Sequence, residues 1–211
     1  MEKSKKLRAV LIGDIVNFTK LNPATEKKLL KSLSSILTPY SFEFYRGDSF
    51  QAYIKEPKSS LRIALLCRTY AISQTKDKRN ASYDIRISIG IGAISEPVKK
   101  LASAKGEAFL LSGRAFDELQ KKDTRLIITT GNSQINTGLE ILADYINVIF
   151  SNMTAKQAEV ISGLLMGQTQ QDVVAERGKS KSTVSQLAAS GRWPEIKKLL
   201  QHFENLIDYL L

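Results

Sequence analysis

Tyr40–Ile54 reads YSFEFYRGDSFQAYI. Two short runs rich in aromatic residues, Tyr40–Tyr45 and Ser49–Ile54, flank Arg46-Gly47-Asp48, a tight turn of the kind that closes a β-hairpin. A hairpin joins antiparallel strands, so the sheet it enters is antiparallel at that point. Asp48 puts a carboxylate at the tip of the turn.

The elements on either side follow from periodicity. Upstream, Leu7–Ile15 is an apolar run broken by Gly13 and Asp14, which predicts a buried strand. Asp14 falls at the end of that strand, where a carboxylate is costly unless a cation or hydrogen-bond donors satisfy it. Asn17-Phe18-Thr19 makes a loop, and Asn22-Pro23 opens a helix to about Leu37 with Leu29, Leu33 and Leu37 on one stripe. Downstream, Pro57 starts a long helix to about Lys76. Ser82–Ile94 predicts a strand with Ile85, Ile87, Ile89 and Ile91 on one face. Gly106–Lys122 predicts a helix, Leu126–Thr129 a last strand, and Asn136 or Thr137 caps a helix to about Phe150. This order predicts an α+β fold: a mainly antiparallel, ferredoxin-like sheet with helices packed on one face.

Ser151-Asn152 then separates two expected domains, 1–150 and 151–211. In the second, Thr154 with Gln157 makes a capping box, and Ala158, Ile161, Leu164 and Leu165 repeat at helical spacing. Thr169 caps a helix Gln170–Arg177, Gly178 supplies a turn, and Ser180 caps a third helix, Lys181–Leu187, with Val184 and Leu187 inward. Two short helices joined by a turn of three or four residues containing glycine match the helix-turn-helix, whose second helix enters the major groove of double-stranded DNA. The predicted DNA contacts are Lys179, Ser180, Lys181, Ser182, Thr183, Ser185, Gln186 and Arg192, whose hydroxyl, amide and cationic groups suit base edges and phosphates. Bulky Val174 and charged Arg177 and Lys179 depart from the usual small and apolar residues of the motif. A plain three-helix cap with a solvated polar face is the alternative.

Charge agrees with an anionic partner. The chain has a net charge of +10 and a pI near 9.6, which favours nucleic acid. Residues 1–150 carry +9 of it and 151–211 carry +1, so the front domain is either simply basic and soluble or itself meets phosphates. The 43% hydrophobic content is enough for a packed core. Cys67, the only cysteine, lies in an apolar helical run and predicts a small core residue in a reducing compartment. No segment approaches the about 18 apolar residues of a membrane span, and a cytoplasmic location is expected. His202 stands without cysteine or carboxylate companions, so neither a zinc site nor a Ser-His-Asp arrangement is predicted. Gly90-Ile91-Gly92 lies inside a strand and lacks the third glycine of a dinucleotide fingerprint; another backbone or a ligand approaches closely there. Beyond Trp193-Pro194, a helix to Leu211 carries an apolar stripe from Ile196 to Leu211. That stripe packs on the helix-turn-helix or joins two copies into a homodimer.

Four motifs share an order and spacing with a known family: Val10–Thr19 (VLIGDIVNFT), Tyr45–Phe50 (YRGDSF), Ile85–Ile94 (IRISIGIGAI) and Gly106–Arg114 (GEAFLLSGR). This series resembles class III nucleotide cyclases. With the C-terminal helix-turn-helix attached, the chain is similar to the SatD family of bacterial proteins. The resemblance implies a cyclase-like fold whose domains pair. It also implies that Asp14, the backbone carbonyl of Ile15 and Asp48 hold Mg²⁺ or Mn²⁺. Asn17, Phe18 and Thr19 would offer donors to nucleotide phosphates, and Arg114 would stabilise transition-state charge. Where cyclases place the purine-reading lysine and the ribose-orienting asparagine, this chain has Phe44 and Leu110, and without those groups base and sugar lose their positioning. Asp14 and Asp48 therefore have three readings: a metal or metal-nucleotide sensor, turn caps, or partners of Arg46, Arg86 or Arg114. The expected function is a DNA-binding transcriptional regulator whose catalytically degenerate front domain dimerises or senses a nucleotide. A metal-dependent, cyclase-like enzyme tethered to DNA is the alternative.

Overall fold

The computed structural model describes residues 5–45, 47–75 and 83–210. Its strands are β1 (Lys5–Ile15), β2 (Ser41–Tyr45), β3 (Ser49–Ile54), β4 (Ile85–Ser95) and β5 (Leu126–Thr130). The helices are α1 (Pro23–Leu37), α2 (Ser60–Ser73), α3 (Glu107–Leu119), α4 (Ser133–Ser151), α5 (Ala155–Leu165), α6 (Gln170–Arg177), α7 (Lys181–Ser190) and α8 (Trp193–Asp208). Arg46, Lys76, Ser82 and Leu211, each part of an expected element, lie outside the described residues.

The sheet runs β2-β3-β1-β4-β5. The first three pairings are antiparallel and β4–β5 is parallel. The units β1-α1-β2-β3-α2-β4 thus form the expected ferredoxin-like arrangement, and α3 carries the chain across to a parallel fifth strand.

Helices cover both faces, not one. Ile85, Ile87, Ile89 and Ile91 of β4 join Ala9, Leu11 and Ile15 of β1 in a core closed by α1, α2 and α4. The alternate side chains, Ser88, Gly90 and Gly92, face α3. A Cβ at Gly90 would overlap the backbone nitrogen of Ser112 and carbonyl of Ala108, and Ser88 Oγ donates to the Ser112 carbonyl at 2.9 Å. The Gly90-Ile91-Gly92 stretch is therefore a place where one backbone lies on another. A smaller cluster with Val10, Tyr53, Ile94, Leu101 and Ala108 seals this second face. The order of elements predicts a single covered face, but the small residues Ser88, Gly90 and Gly92 on the second side of β4 leave room for a helix where larger side chains would not.

Local chemistry sets the helix starts. Asn22 accepts from Thr25 N–H at 2.9 Å and caps α1 with Pro23 in the first turn. Pro57 opens a short 3₁₀ turn, Pro57–Ser59, before α2. The cap of α4 is Asn132, which accepts from the N–H groups of Gln134 and Ile135, rather than Asn136 or Thr137. Asn136 is already inside the helix: its amide accepts from Thr130 N–H at 2.8 Å and donates to Thr130 O at 3.0 Å. In this way it fills the place of a neighbouring strand. Asn147, further along α4, donates to Leu126 O at 3.2 Å. Together the two asparagines satisfy part of the outer edge of β5, which would otherwise stand open to pairing.

The main core does not stop at residue 150. Phe150, Met153, Ala158, Ile161, Leu164, Val173, Val184, Ala188 and the inward residues of α8 continue it without a break. Helix α5 lies across α2. Arg62 donates to Leu165 O at 3.4 Å, and Lys58 pairs with Asp208. On α8, Ile196, Leu200, Phe203 and Ile207 are buried and Leu199 and Leu206 partly so, as is Leu210 just beyond it. Of the two readings of this apolar stripe, packing within the chain is the one its inward residues follow, and α8 folds back along α4. Among the described residues no helix is long and apolar enough to cross a membrane.

Candidate functional site

Three short helices are built by their caps. Thr154 and Gln157 make a full capping box on α5. Thr169 and Asp172 make a second on α6: Thr169 N–H donates to Asp172 Oδ2 at 2.8 Å and Asp172 N–H to Thr169 Oγ1 at 3.2 Å. That backbone donor holds the Asp172 carboxyl below its ordinary pKa. Gly178 ends α6 at φ +60°, in the left-handed region glycine tolerates. Ser180 accepts from Thr183 N–H at 3.1 Å and starts α7. Helix α7 runs to Ser190, three residues past the expected Leu187.

The two faces of α7 differ sharply. Val184 and Ala188 are buried, whereas Lys181, Ser182, Thr183, Ser185 and Gln186 are exposed, as is the capping Ser180. Arg177 and Lys179, the charged departures from the usual motif, reach back to Glu159 on α5 at 3.6 and 2.8 Å. An ion pair thus stands where apolar packing is usual. Lys179 and Arg177 are therefore engaged, and Arg192 pairs with Glu195 at 3.1 Å while remaining exposed. On α7 and α8, Lys181, Lys197 and Lys198 are exposed and pair with no described carboxylate.

In the front part, strand register brings one of the candidate arginines to Asp14. Asp14 stands opposite Arg86 in the β1–β4 pairing, and Arg86 Nη2 lies 2.7 Å from Asp14 Oδ2. Burial pushes the Asp14 carboxyl above its ordinary pKa, Arg86 opposes that, and the Asp48 charge adds to it. Ile15 N–H donates to Asp48 O at 3.0 Å, so the hairpin turn docks on the end of β1. Ser49 Oγ donates to Asp48 Oδ1 at 3.1 Å. Asn17 takes φ +59° ahead of a single 3₁₀ turn, Phe18–Lys20; Phe18 leans on the core, and Asn17 and Thr19 are exposed. Arg114 is exposed on α3, and among the described residues no ion pair or hydrogen bond joins it to either aspartate. Phe44 is committed to an edge-to-face aromatic row with Phe42 and Phe50, at 5.7 and 6.2 Å between ring centres. Leu110 is 53% exposed.

Asp14, Asp48 and the Ile15 carbonyl supply at most a partial ligand set, and a guanidinium already balances one carboxylate. No cluster of three His, Cys, Asp or Glu side chains suited to a metal forms among the described residues. Mg²⁺ commonly takes one or two carboxylates and fills its octahedron with water and substrate phosphates. These residues fit Mg²⁺ or Mn²⁺ only in the company of a polyphosphate.

One constellation escaped the sequence reading. Arg68, 0% exposed within α2, donates from Nε and Nη2 to the two oxygens of Asp84 at 3.0 and 2.7 Å and from Nη1 to Asn147 at 3.2 Å. Its guanidinium also sits 4.6 Å from the Phe150 ring centre. The available signal was a charge on the inward stripe of an otherwise apolar helix. The arrangement ties α2, α4 and the start of β4 together and is structural.

No protein-family model and no curated protein matches the chain. Among solved structures, a bacterial light-regulated adenylyl cyclase overlaps 60% of this chain and 77% of its own at 14% identity and a TM-score of 0.43. The active GGEEF domain of a diguanylate cyclase from Vibrio cholerae overlaps 61% and 85% at 12% identity and 0.40. A guanylyl cyclase overlaps 56% and 73% at 13% identity and 0.36. Likenesses at this level assign no activity to the chain.

Proposed function

We propose that the chain is a DNA-binding regulator in which α7 lies in the major groove and the sheet domain serves as its carrier. The observation that supports this reading is the exposure of Lys181, Ser182, Thr183, Ser185 and Gln186 on one side of a helix whose other side is fixed in the core. A groove-binding helix needs that division: donors, acceptors and a cation outward, and a rigid seat behind. The Glu159 pairs of Arg177 and Lys179 strengthen the seat, which assigns those two cations to positioning and leaves Lys181 as the phosphate contact. The test is selection of bound duplexes from a random pool by the full chain. Recovery of a shared sequence, lost in Lys181→Ala/Thr183→Ala/Gln186→Ala while the fold is kept, supports the proposal; no enrichment by the wild type ends it.

The proximity of Asp14 and Asp48 favours a second reading, a metal-nucleotide sensor. It is tested by Mn²⁺ binding with and without ATP or GTP, and binding that needs both and vanishes in Asp48→Asn would support it. Turnover of either nucleotide, lost in Asp14→Asn, would instead favour the enzyme reading.

A further inference from the structure

After α8 folds back, one apolar face stays uncovered. Ile141, Tyr145 and Val148 recur at i, i+4 and i+7 on α4 and are 67, 41 and 59% exposed; Tyr209, just past α8, is 81% exposed. Ile141 and Tyr145 of this ridge also form the near wall of a groove of about 520 Å³ between α4 and α8, lined further by Leu142, Leu199, Leu206 and Tyr209. A ridge and an apolar groove side by side on one surface is the self-complementary shape that a twofold interface requires.

Charge points the same way. Glu140 and Asp144 lie on the flank of α4 turned toward β5, away from α8. On α8, Lys198 shares a stripe with His202, Asn205 and Tyr209 at i, i+4, i+7 and i+11, along the outer wall of the groove. Among the described residues none of Glu140, Asp144 and Lys198 has an ion-pair partner. The two helices run antiparallel, with Leu206 over Gly138 at one end and Arg192 near Val148 at the other. At 1.5 Å per residue from the Leu206 contact, Lys198 stands at the height of Asp144 to within about one turn.

We propose that this face joins two copies of the chain. The twofold axis runs along the helices between ridge and groove, so the α4 ridge of each copy enters the α4–α8 groove of the other. That rotation brings the Lys198 wall of one copy against the Glu140–Asp144 flank of its mate, twice. The inference concerns assembly alone and does not rest on DNA binding, although paired α7 helices are what a palindromic site requires.

Sedimentation equilibrium of the full chain, without DNA, tests it. The wild type dimerises at micromolar concentration, and Ile141→Asp/Val148→Asp, with unchanged circular dichroism, is monomeric. Glu140→Lys/Asp144→Lys raises the dissociation constant about tenfold or more. Adding Lys198→Glu to that variant restores dimerisation, which mere damage to the surface could not do. A wild type that stays monomeric at about 100 μM, which would leave the face to a different protein, overturns the proposal at the affinity expected of a stable pair. A dimer indifferent to Ile141→Asp/Val148→Asp, or charge reversal without rescue, overturns it as well.

Discussion

Arg68 shows how much one buried charge can organise. Removing it strands the Asp84 carboxylate in the core, and loss of one partner of a buried pair costs about 3–5 kcal/mol. Arg68→Met is predicted to lose about that much in urea unfolding, and Arg68→Met/Asp84→Asn to lose less, because the stranded charge is gone. Glu96 is the surface counterpart. It bonds Arg8 and the Tyr53 hydroxyl, which hold its carboxyl at about 2 against an ordinary 4.5. A carboxylate lowered in the folded state contributes stability above its unfolded pKa and loses it as pH falls toward the folded one. Thermal melts between pH 5 and 2, bracketing about 4.5 and about 2, should therefore fall more steeply for the wild type than for Glu96→Gln. Equal slopes would contradict the assignment. No local pattern in the sequence ties Asp14 to Arg86, because it is the register of β1 on β4 that sets the two opposite each other.

At the scale of elements, α3 depends on glycine. Gly90→Ala would force the helix off β4, and overpacking of this kind is predicted to cost about 1–3 kcal/mol in urea unfolding. A neutral substitution would show that α3 can shift freely. Caps, the hairpin and the helix breaks around Thr169, Gly178 and Ser180 were legible in the sequence because each is decided within a few residues. The face chosen by α3 was not, since small residues on the second side of β4 mark a close approach without naming what approaches. The α8 stripe was ambiguous for a similar reason: its periodicity is the same whether it meets its own chain or another copy. The engagement of Lys179 and Arg177 by Glu159 spans about five turns of helix and loop in sequence, and no local pattern announces it.

The whole molecule is a ferredoxin-like sheet and a helical tail that share one core, and α2 lies between them. Such a body holds α7 rigidly and leaves its polar side open. It also carries nearly all the excess positive charge, +9 of +10, which would draw the chain toward a polyanion from a distance while α7 makes the short-range contacts. The helix starts of the tail were legible in the sequence, whereas the pairing of Arg177 and Lys179 with Glu159 was not, because ion pairing between helices is a property of the fold and not of the stretch. The central claim, that α7 meets duplex DNA with Lys181 on a phosphate, is tested most directly by the salt dependence of binding to a selected duplex. Log K is expected to fall linearly with log salt concentration, and Lys181→Ala to lower the slope by about one. A wild-type affinity indifferent to salt, or a slope that Lys181→Ala leaves untouched, would contradict it.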